Sequence, residues 1–231
     1  MTGLTVATWN IHKGVGGDRR RDLLRTASVI AEITPDIMTL QEADTRFGTR
    51  RGLLDLKAIA REQGLVAVPM LGLTQAHGWH GNVVLLRDAE VEATDYIDLP
   101  GFEPRGAMIV DLTHQAKPLR VIGTHLGLLV ASRKAQVRHL LACLAKRPPR
   151  ATLLMGDLNE WRVDGGTALA PLRAAFPGWV SVPSFPARYP LLPLDRIMAT
   201  GGAGLSTGTV HGTEVARRAS DHLPVVARLE L

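Results

Sequence analysis

Short apolar runs alternate with longer amphipathic stretches along the chain, and Gly, Pro and Asn punctuate them. Residues 4–9 read as a strand that gives way to a glycine-rich turn at Gly14, Gly16 and Gly17. Across residues 20–33, Leu23, Ala27, Ile30 and Ala31 share one helical face. Thr34-Pro35 ends that helix, because proline removes a donor and pushes its predecessor out of helical geometry. Residues 36–40 follow as a short buried strand, 54–63 as a second helix closed by Gly64, and 65–71 as a strand. From about Asn82 to His125 the pattern is nearly all β, with strands expected at 83–87, 91–97, 107–113 and 119–124. A third helix is expected behind Ser132 as N-cap, with Val137, Leu140, Leu141 and Leu144 inward. Further strands are expected at 152–155, 194–198 and 225–229.

Many strands, few helices and several adjacent β runs argue for an α/β fold of two packed sheets with helices outside. A purely alternating parallel sheet fits the middle of the chain poorly. The 231 residues, 45% apolar and 21% charged, hold no linker, long charge run or fixed-period repeat, so one domain over 1–231 is expected.

Charge adds a hint about partners. The formal net charge is +5, with clusters at Arg19-Arg20-Arg21, at Arg46 with Arg50 and Arg51, and at Arg217-Arg218. Such an excess favours nucleic acid, phospholipid headgroups or free phosphates, although taken alone a solvated arginine-rich surface is the simpler explanation. Cys143 is the sole cysteine, which excludes an intrachain disulfide and fits a reducing compartment. Met1-Thr2-Gly3-Leu4-Thr5-Val6 carries no secretory pattern, and no apolar run is long enough to span a bilayer. A cytoplasmic monomer without stable membrane insertion is therefore expected.

The polar residues sit at strand ends. Asn10 follows the first strand, Gln41-Glu42 the second, and His125 ends the run Val121-Ile122-Gly123-Thr124. Asp157 and Asn159 follow Leu153-Leu154-Met155, Asp195 enters Arg196-Ile197-Met198, and Ser220-Asp221-His222 precedes the last strand. If these ends meet at one mouth, they form an acidic, oxygen-rich pocket suited to a hard cation such as Mg²⁺ or Mn²⁺. Glu42 is the leading metal ligand, with Asn10 as a neutral oxygen ligand or acting through water. No Cys/His cluster with zinc spacing occurs, and Cys143 falls in a helix core pattern.

Phosphodiester hydrolysis needs an activated water, charge stabilisation at phosphorus and help for the leaving oxygen. Asp157 is placed to activate the water, with Asn159 holding the phosphate or the nucleophile. An extended Asp157-Leu158-Asn159 would point both side chains the same way. His222 can donate as imidazolium, kept protonated by Asp195 or Asp221. Each residue also has a plain reading: Asp and Asn after strands form turns, His125 can be a satisfied buried histidine, and Glu42 can pair with an arginine.

The wording around these residues decides between the readings. Thr8-Trp9-Asn10-Ile11-His12, Leu40-Gln41-Glu42, Gly123-Thr124-His125-Leu126, Gly156-Asp157-Leu158-Asn159 and Ser220-Asp221-His222-Leu223-Pro224 occur in that order. Together they resemble the endonuclease/exonuclease/phosphatase superfamily, from Thr5 to Leu229. The resemblance implies a deoxyribonuclease-like four-layer α/β sandwich: two packed mixed β-sheets flanked by helices. It implies a Mg²⁺ or Mn²⁺ site at Glu42, assisted by Asn10 and Asp221. It also implies that Asp157 and Asn159 orient water, that His222 with Asp195 contacts the scissile phosphate, and that His125 lies near it. Arg105 looks like the arginine that precedes the family's mid-chain strand, unless it merely caps a turn.

Departures from the pattern bear on substrate. Apurinic/apyrimidinic endonucleases place a tyrosine just before the strand that begins here Gly81-Asn82-Val83, whereas this chain has His80. The run Asn10-Ile11-His12-Lys13-Gly14, with Ser184-Phe185-Pro186 ahead of Leu194-Asp195-Arg196, looks most like a bacterial subgroup of small proteins, some linked to phospholipid metabolism. His12 and Lys13 are placed to touch a substrate phosphate, or else face solvent in a turn. Three substrates compete: nucleic acid, a phospholipid or inositol-phosphate headgroup, and a small phosphoester. Charge puts nucleic acid slightly ahead, while an aromatic content of 4% argues against a base-stacking platform. The rival to an enzyme is a binding module that kept the fold; a decayed site should lack one of Asn10, Glu42, Asp157, Asn159 or His222, and all five are present. Segments 74–79 and 183–193 are expected to border the pocket.

Overall fold

The computed structural model describes residues 3–45, 51–70, 81–162, 166–200 and 202–231. Its elements run β1 (Leu4–Asn10), α1 (Leu23–Ile33), β2 (Ile37–Gln41), α2 (Leu56–Gln63), β3 (Val66–Ala67), β4 (Val83–Leu86), β5 (Ala89–Leu99), β6 (Arg105–His114) and β7 (Lys117–His125). They continue α3 (Val130–Leu144), β8 (Thr152–Asp157), α4 (Ala170–Ala175), β9 (Gly178–Ser181), β10 (Asp195–Ala199), β11 (Gly204–Leu205), β12 (Thr209–Val210), α5 (Glu214–Ala219) and β13 (Val225–Glu230).

Among the described residues the strands form two mixed sheets. One has the order β11-β13-β1-β2-β4-β3, with β12 on β13; the other runs β5-β6-β7-β8-β10-β9. Among the described strands only β1–β2 and β7–β8 are parallel pairs. The inner faces meet in a core that includes Val6, Ile37 and Val84 from the first sheet with Met108, Val121, Met155 and Ile197 from the second. On the first sheet's outer face Trp9, Met38 and Leu40 pack against Val29 and Ile30 of α1, Ile59 of α2 and Ala216 of α5. On the second sheet's outer face Ile109, Ile122 and Leu154 meet Val137 and Leu140 of α3 and Leu172 of α4. Central strands covered on both faces have no polar side to present, which is why β4 is simply Val-Val-Leu-Leu. The result is the helix–sheet–sheet–helix sandwich expected from the sequence.

Two local expectations are corrected. Ser132 is not the N-cap of α3: the helix starts at Val130 and Leu129 caps it without a side-chain bond. Ser132 is instead buried inside the first turn, where its side chain lies under Gly101 and Gly127. The strand expected at 65–71 is only Val66–Ala67 among the described residues. The short α4, β9, β11, β12 and α5 have no counterpart in the sequence reading.

Candidate functional site

Register brings the polar strand ends together. In the second sheet Asp157 lies opposite His125 on one side and Asp195 on the other, so three neighbouring strands end in a row of polar groups. Glycine permits that row: a Cβ at Gly156 would stand 1.8 Å from the Thr124 carbonyl oxygen. In the first sheet Asn10 pairs in register with Gln41, which places Glu42 beside it. Asn10 Nδ2 then reaches across the sandwich to donate to Asp157 Oδ2 at 2.9 Å and lies 3.5 Å from Glu42 Oε1.

The amide orientation of Asn10 follows from its other partner. The His12 backbone N–H donates to Asn10 Oδ1 at 3.0 Å. Asn10 therefore turns its nitrogen, not its oxygen, toward both carboxylates, as a donor that supports them. Glu42 Oε2 is ion-paired with Lys13 Nζ. His12 Nδ1 lies 3.2 Å from the Val15 carbonyl and 3.6 Å from Asp221 Oδ1. Asp221, with its side chain 42% exposed, stands on the solvent side of the pocket.

Asp157 is the most crowded acid. Besides Asn10, its Oδ2 lies 3.4 Å from His125 Nε2 and 3.9 Å from His222 Nε2, and its Oδ1 accepts from the Asn159 N–H at 2.9 Å. Arg105 Nη1 donates to His125 Nδ1 at 2.9 Å, which assigns the ring proton to Nε2, facing Asp157. Arg105 is itself held by Glu103 at 2.8 Å, so it supports His125 rather than merely capping a turn. His222 Nδ1 bonds to Asp195 Oδ2 at 2.8 Å; of the two acids considered for this role, Asp195 is the one in contact.

Electrostatics follow the packing. Burial pushes the Asp157 carboxyl up to about 6, against the opposing pull of the His222 charge. Burial works against the His222 imidazolium too, but Asp195 and Asp157 outweigh it and raise the group to about 10. The pair is thus poised as a carboxylate raised to about 6 beside an imidazolium that is kept at neutral pH.

Asn159 departs from the sequence expectation. Its φ is +51°, so Asp157-Leu158-Asn159 is not extended and the two side chains do not project in parallel. The Asn159 Nδ2 instead donates to the Leu126 carbonyl at 2.8 Å, alongside a Leu126 N–H bond to the Asp157 carbonyl. Left-handed, non-glycine backbone gathers here: His12 (φ 45), Lys13 (φ 59) and Glu42 (φ 56) share it. Such conformations persist where surrounding contacts over-determine them, which is common at functional sites.

Several contributors were not singled out from sequence. Ser184 Oγ donates to Asp195 Oδ2 at 2.6 Å, and Ser220 Oγ donates to the Asn10 carbonyl at 2.7 Å. Asn82 donates to the Gly106 carbonyl at 3.0 Å, tying β4 of one sheet to β6 of the other. The buried pair Arg133–Glu160 and the Arg196 bond to the Glu160 carbonyl fix the loop after Asn159. A serine before a strand or an asparagine after a glycine carries no sequence signal for these roles. His80 and segment 74–79 lie outside the described residues.

Asp157, Asp195 and His222 present donor atoms within 4.8 Å of one another, a cluster that could hold a metal. His222 carries a proton on both nitrogens while it stays an imidazolium, so it offers no lone pair. Glu42, by contrast, already holds a cation in the form of the Lys13 ammonium. Its carboxylate is a hard oxygen donor of the kind a divalent ion takes.

A profile of the Endonuclease/Exonuclease/phosphatase family matches residues 7–222. The chain is 29% identical over 243 residues to a protein of Escherichia coli (strain K12) called "Uncharacterized protein YbhP", covering 98% of this chain and 96% of that one. The crystal structure of an endonuclease/exonuclease/phosphatase from Beutenbergia cavernae DSM 12333 superposes with a TM-score of 0.75 at 25% identity, over 100% of this chain and 72% of that one. The structure of D. rerio TDP2 complexed with single strand DNA product superposes with a TM-score of 0.73 at 17% identity, over 100% of both chains, a likeness of fold. Members of the matched family are generally divalent-metal-dependent phosphoester hydrolases, and the residues that converge on Asp157 and Glu42 fall within the matched span: this chain belongs to the endonuclease/exonuclease/phosphatase family.

Proposed function

We propose that this protein hydrolyses phosphodiester or phosphomonoester bonds with Mg²⁺ or Mn²⁺. The carrying observation is the convergence on Asp157 of Asn10 from one sheet with His125 and His222, all within 3.9 Å. Glu42 and Asp221 would hold the ion, with Asn10 supporting them through its amide N–H. When bound, the ion supplies Lewis-acid polarisation of a phosphoryl oxygen.

The chain's own residues do the rest. Asp157 accepts the proton of the attacking water, a role that suits a carboxyl raised to about 6. Asn159 keeps its Nδ2 on Leu126 and uses Oδ1 to orient that water. His222, locked by Asp195 and Ser184, donates its Nε2 proton toward a phosphoryl oxygen. His125, oriented by Arg105, stabilises the same phosphate, and His12 and Lys13 stand beside its approach.

The test is product release from plasmid carrying an abasic site, bis-p-nitrophenyl phosphate and a phospholipid–inositol phosphate panel. Each runs with Mg²⁺, Mn²⁺ or chelator, with Glu42→Ala as control. Metal-dependent turnover that the substitution abolishes supports the reading. Metal binding without turnover of any of these would favour a binding module that kept the fold.

A further inference from the structure

Leu24, Val66, Val91 and Val215 are exposed singly on α1, β3, β5 and α5, but a larger set of exposed apolar side chains gathers on the loops around the site. Phe102 (89% exposed), Leu128 (64%), Leu129 (51%), Trp161 (54%), Tyr189 (66%) and Leu191 (74%) all project from loops that carry site residues. Leu128 and Leu129 follow His125 by three and four positions, and Trp161 follows Asn159 by two. The Leu128 N–H donates to Glu103 Oε1 at 3.1 Å, which brings the Phe102 loop against it. Tyr189 and Leu191 lie between Asp195 and Phe185, whose ring is 4.9 Å from that of His222. Apolar exposure concentrated at one rim marks a docking surface.

The rim is also basic. The Arg162 guanidinium lies over the Trp161 ring at 5.4 Å and that of Arg188 over Tyr189 at 5.5 Å. Arg21 is exposed and bonds to the Lys13 carbonyl at 3.1 Å, beside the Glu42 pocket. The acid in the Phe102 loop, Glu103, is neutralised by Arg105. A polar, cation-binding centre is thus surrounded by aliphatic and aromatic tips interleaved with arginine. Aromatic rings and arginines side by side suit the boundary between headgroups and acyl chains.

We infer that this rim seats the protein on an anionic phospholipid surface, with the lipid's phosphate reaching the Asp157–Glu42 centre. The inference rests on the phosphoester-hydrolase reading and names its substrate class. A lipid phosphate placed in the centre leaves its acyl chains at the periphery, where the leucines are. A nucleic acid strand would find π-faces on Phe102, Trp161 and Tyr189, but it would also drag phosphates across Leu128, Leu129 and Leu191, which offer it nothing. Charge alone ranked nucleic acid first; the aliphatic content of the rim favours lipid.

The test is flotation of the intact protein with vesicles of equal parts phosphatidylcholine and phosphatidylglycerol, against pure phosphatidylcholine. Binding to the mixed vesicles, weak on the neutral ones, is expected. The double substitutions Leu128→Gln/Leu129→Gln and Tyr189→Ser/Leu191→Ser should each weaken it roughly tenfold, the loss expected from removing two inserted side chains. Circular dichroism and turnover of bis-p-nitrophenyl phosphate should stay unchanged in both variants. Glu42→Ala should bind vesicles normally yet hydrolyse nothing. Absent flotation with turnover intact overturns the lipid rim alone, whereas flotation without any turnover overturns the catalytic reading. Single-stranded oligonucleotide binding that the same double substitutions weaken, without vesicle binding, would assign the rim to nucleic acid and overturn the proposal.

Discussion

Asn10 and Asp157 stand 147 positions apart on opposite sheets, yet the Asn10 amide donates to the Asp157 carboxylate at 2.9 Å. That bond joins the Glu42 half of the site to the histidine half. Asn10→Asp would replace the donor by a third negative charge beside Glu42 and Asp157. The like charge is expected to raise the Asp157 pKa further and move the acid limb of the rate profile upward, with roughly a hundredfold lower turnover at neutral pH. A pH–rate profile of the two proteins checks this.

An acid limb in the native protein's rate profile is expected from the same carboxyl. With Asp157 raised to about 6, general-base activity is expected to fall as pH drops through that value. The sign for stability is opposite to that of a paired surface acid. A raised carboxyl pKa favours the fold fully below the ordinary value of 3.8, and that contribution is lost as pH rises through about 6. Ionised Asp157 therefore costs stability at neutral pH, and a divalent ion should offset the cost. Thermal melts at neutral pH should show Mn²⁺ or Mg²⁺ raising the Tm, and the gain should shrink in Glu42→Ala.

His222 and Asp195 give a prediction with its own pH window. His222 is raised from 6.5 to about 10, so its contribution is full below 6.5 and is lost as pH rises through about 10. Asp195→Asn removes the partner and should cost roughly 3 kcal/mol at neutral pH, as breaking a buried pair does. Urea unfolding of both proteins should show that gap at neutral pH and a narrower one above about pH 10.

Gly156→Ala tests the backbone beneath the site. The new Cβ would lie 1.8 Å from the Thr124 carbonyl oxygen, forcing β7 and β8 apart where His125 faces Asp157. A loss of roughly 3 kcal/mol in unfolding free energy is expected, with activity falling alongside. Unchanged activity in a destabilised variant would show that the His125–Asp157 spacing is not critical.

Much of this arrangement was legible in the sequence, for physical reasons. Central strands buried on both faces leave unbroken apolar runs such as Val83–Leu86, so the polar residue after each run stands out. The positions of Asn10, Glu42, His125, Asp157, Asp195 and His222 at strand ends could be read that way. Their pairings could not, because Lys13–Glu42, Ser184–Asp195 and Arg105–His125 depend on how separate strand ends face one another. Whether Asn159 projects beside Asp157 could not be read, because the strand ends at Asp157 and Asn159, two residues on, takes a left-handed conformation. Elements such as α5 are six residues long, too short for a periodic pattern, although Thr213 capping the Ala216 N–H is the kind of signal that marks a start.

The most direct test is the metal-dependent rate of bis-p-nitrophenyl phosphate hydrolysis by the native protein and by Asp157→Asn. Turnover that disappears with chelator, returns with Mn²⁺ or Mg²⁺, and falls at least roughly a thousandfold in the variant is the expected result. A variant that keeps its native metal-dependent rate would contradict the assignment of Asp157 as the group that takes the proton from water.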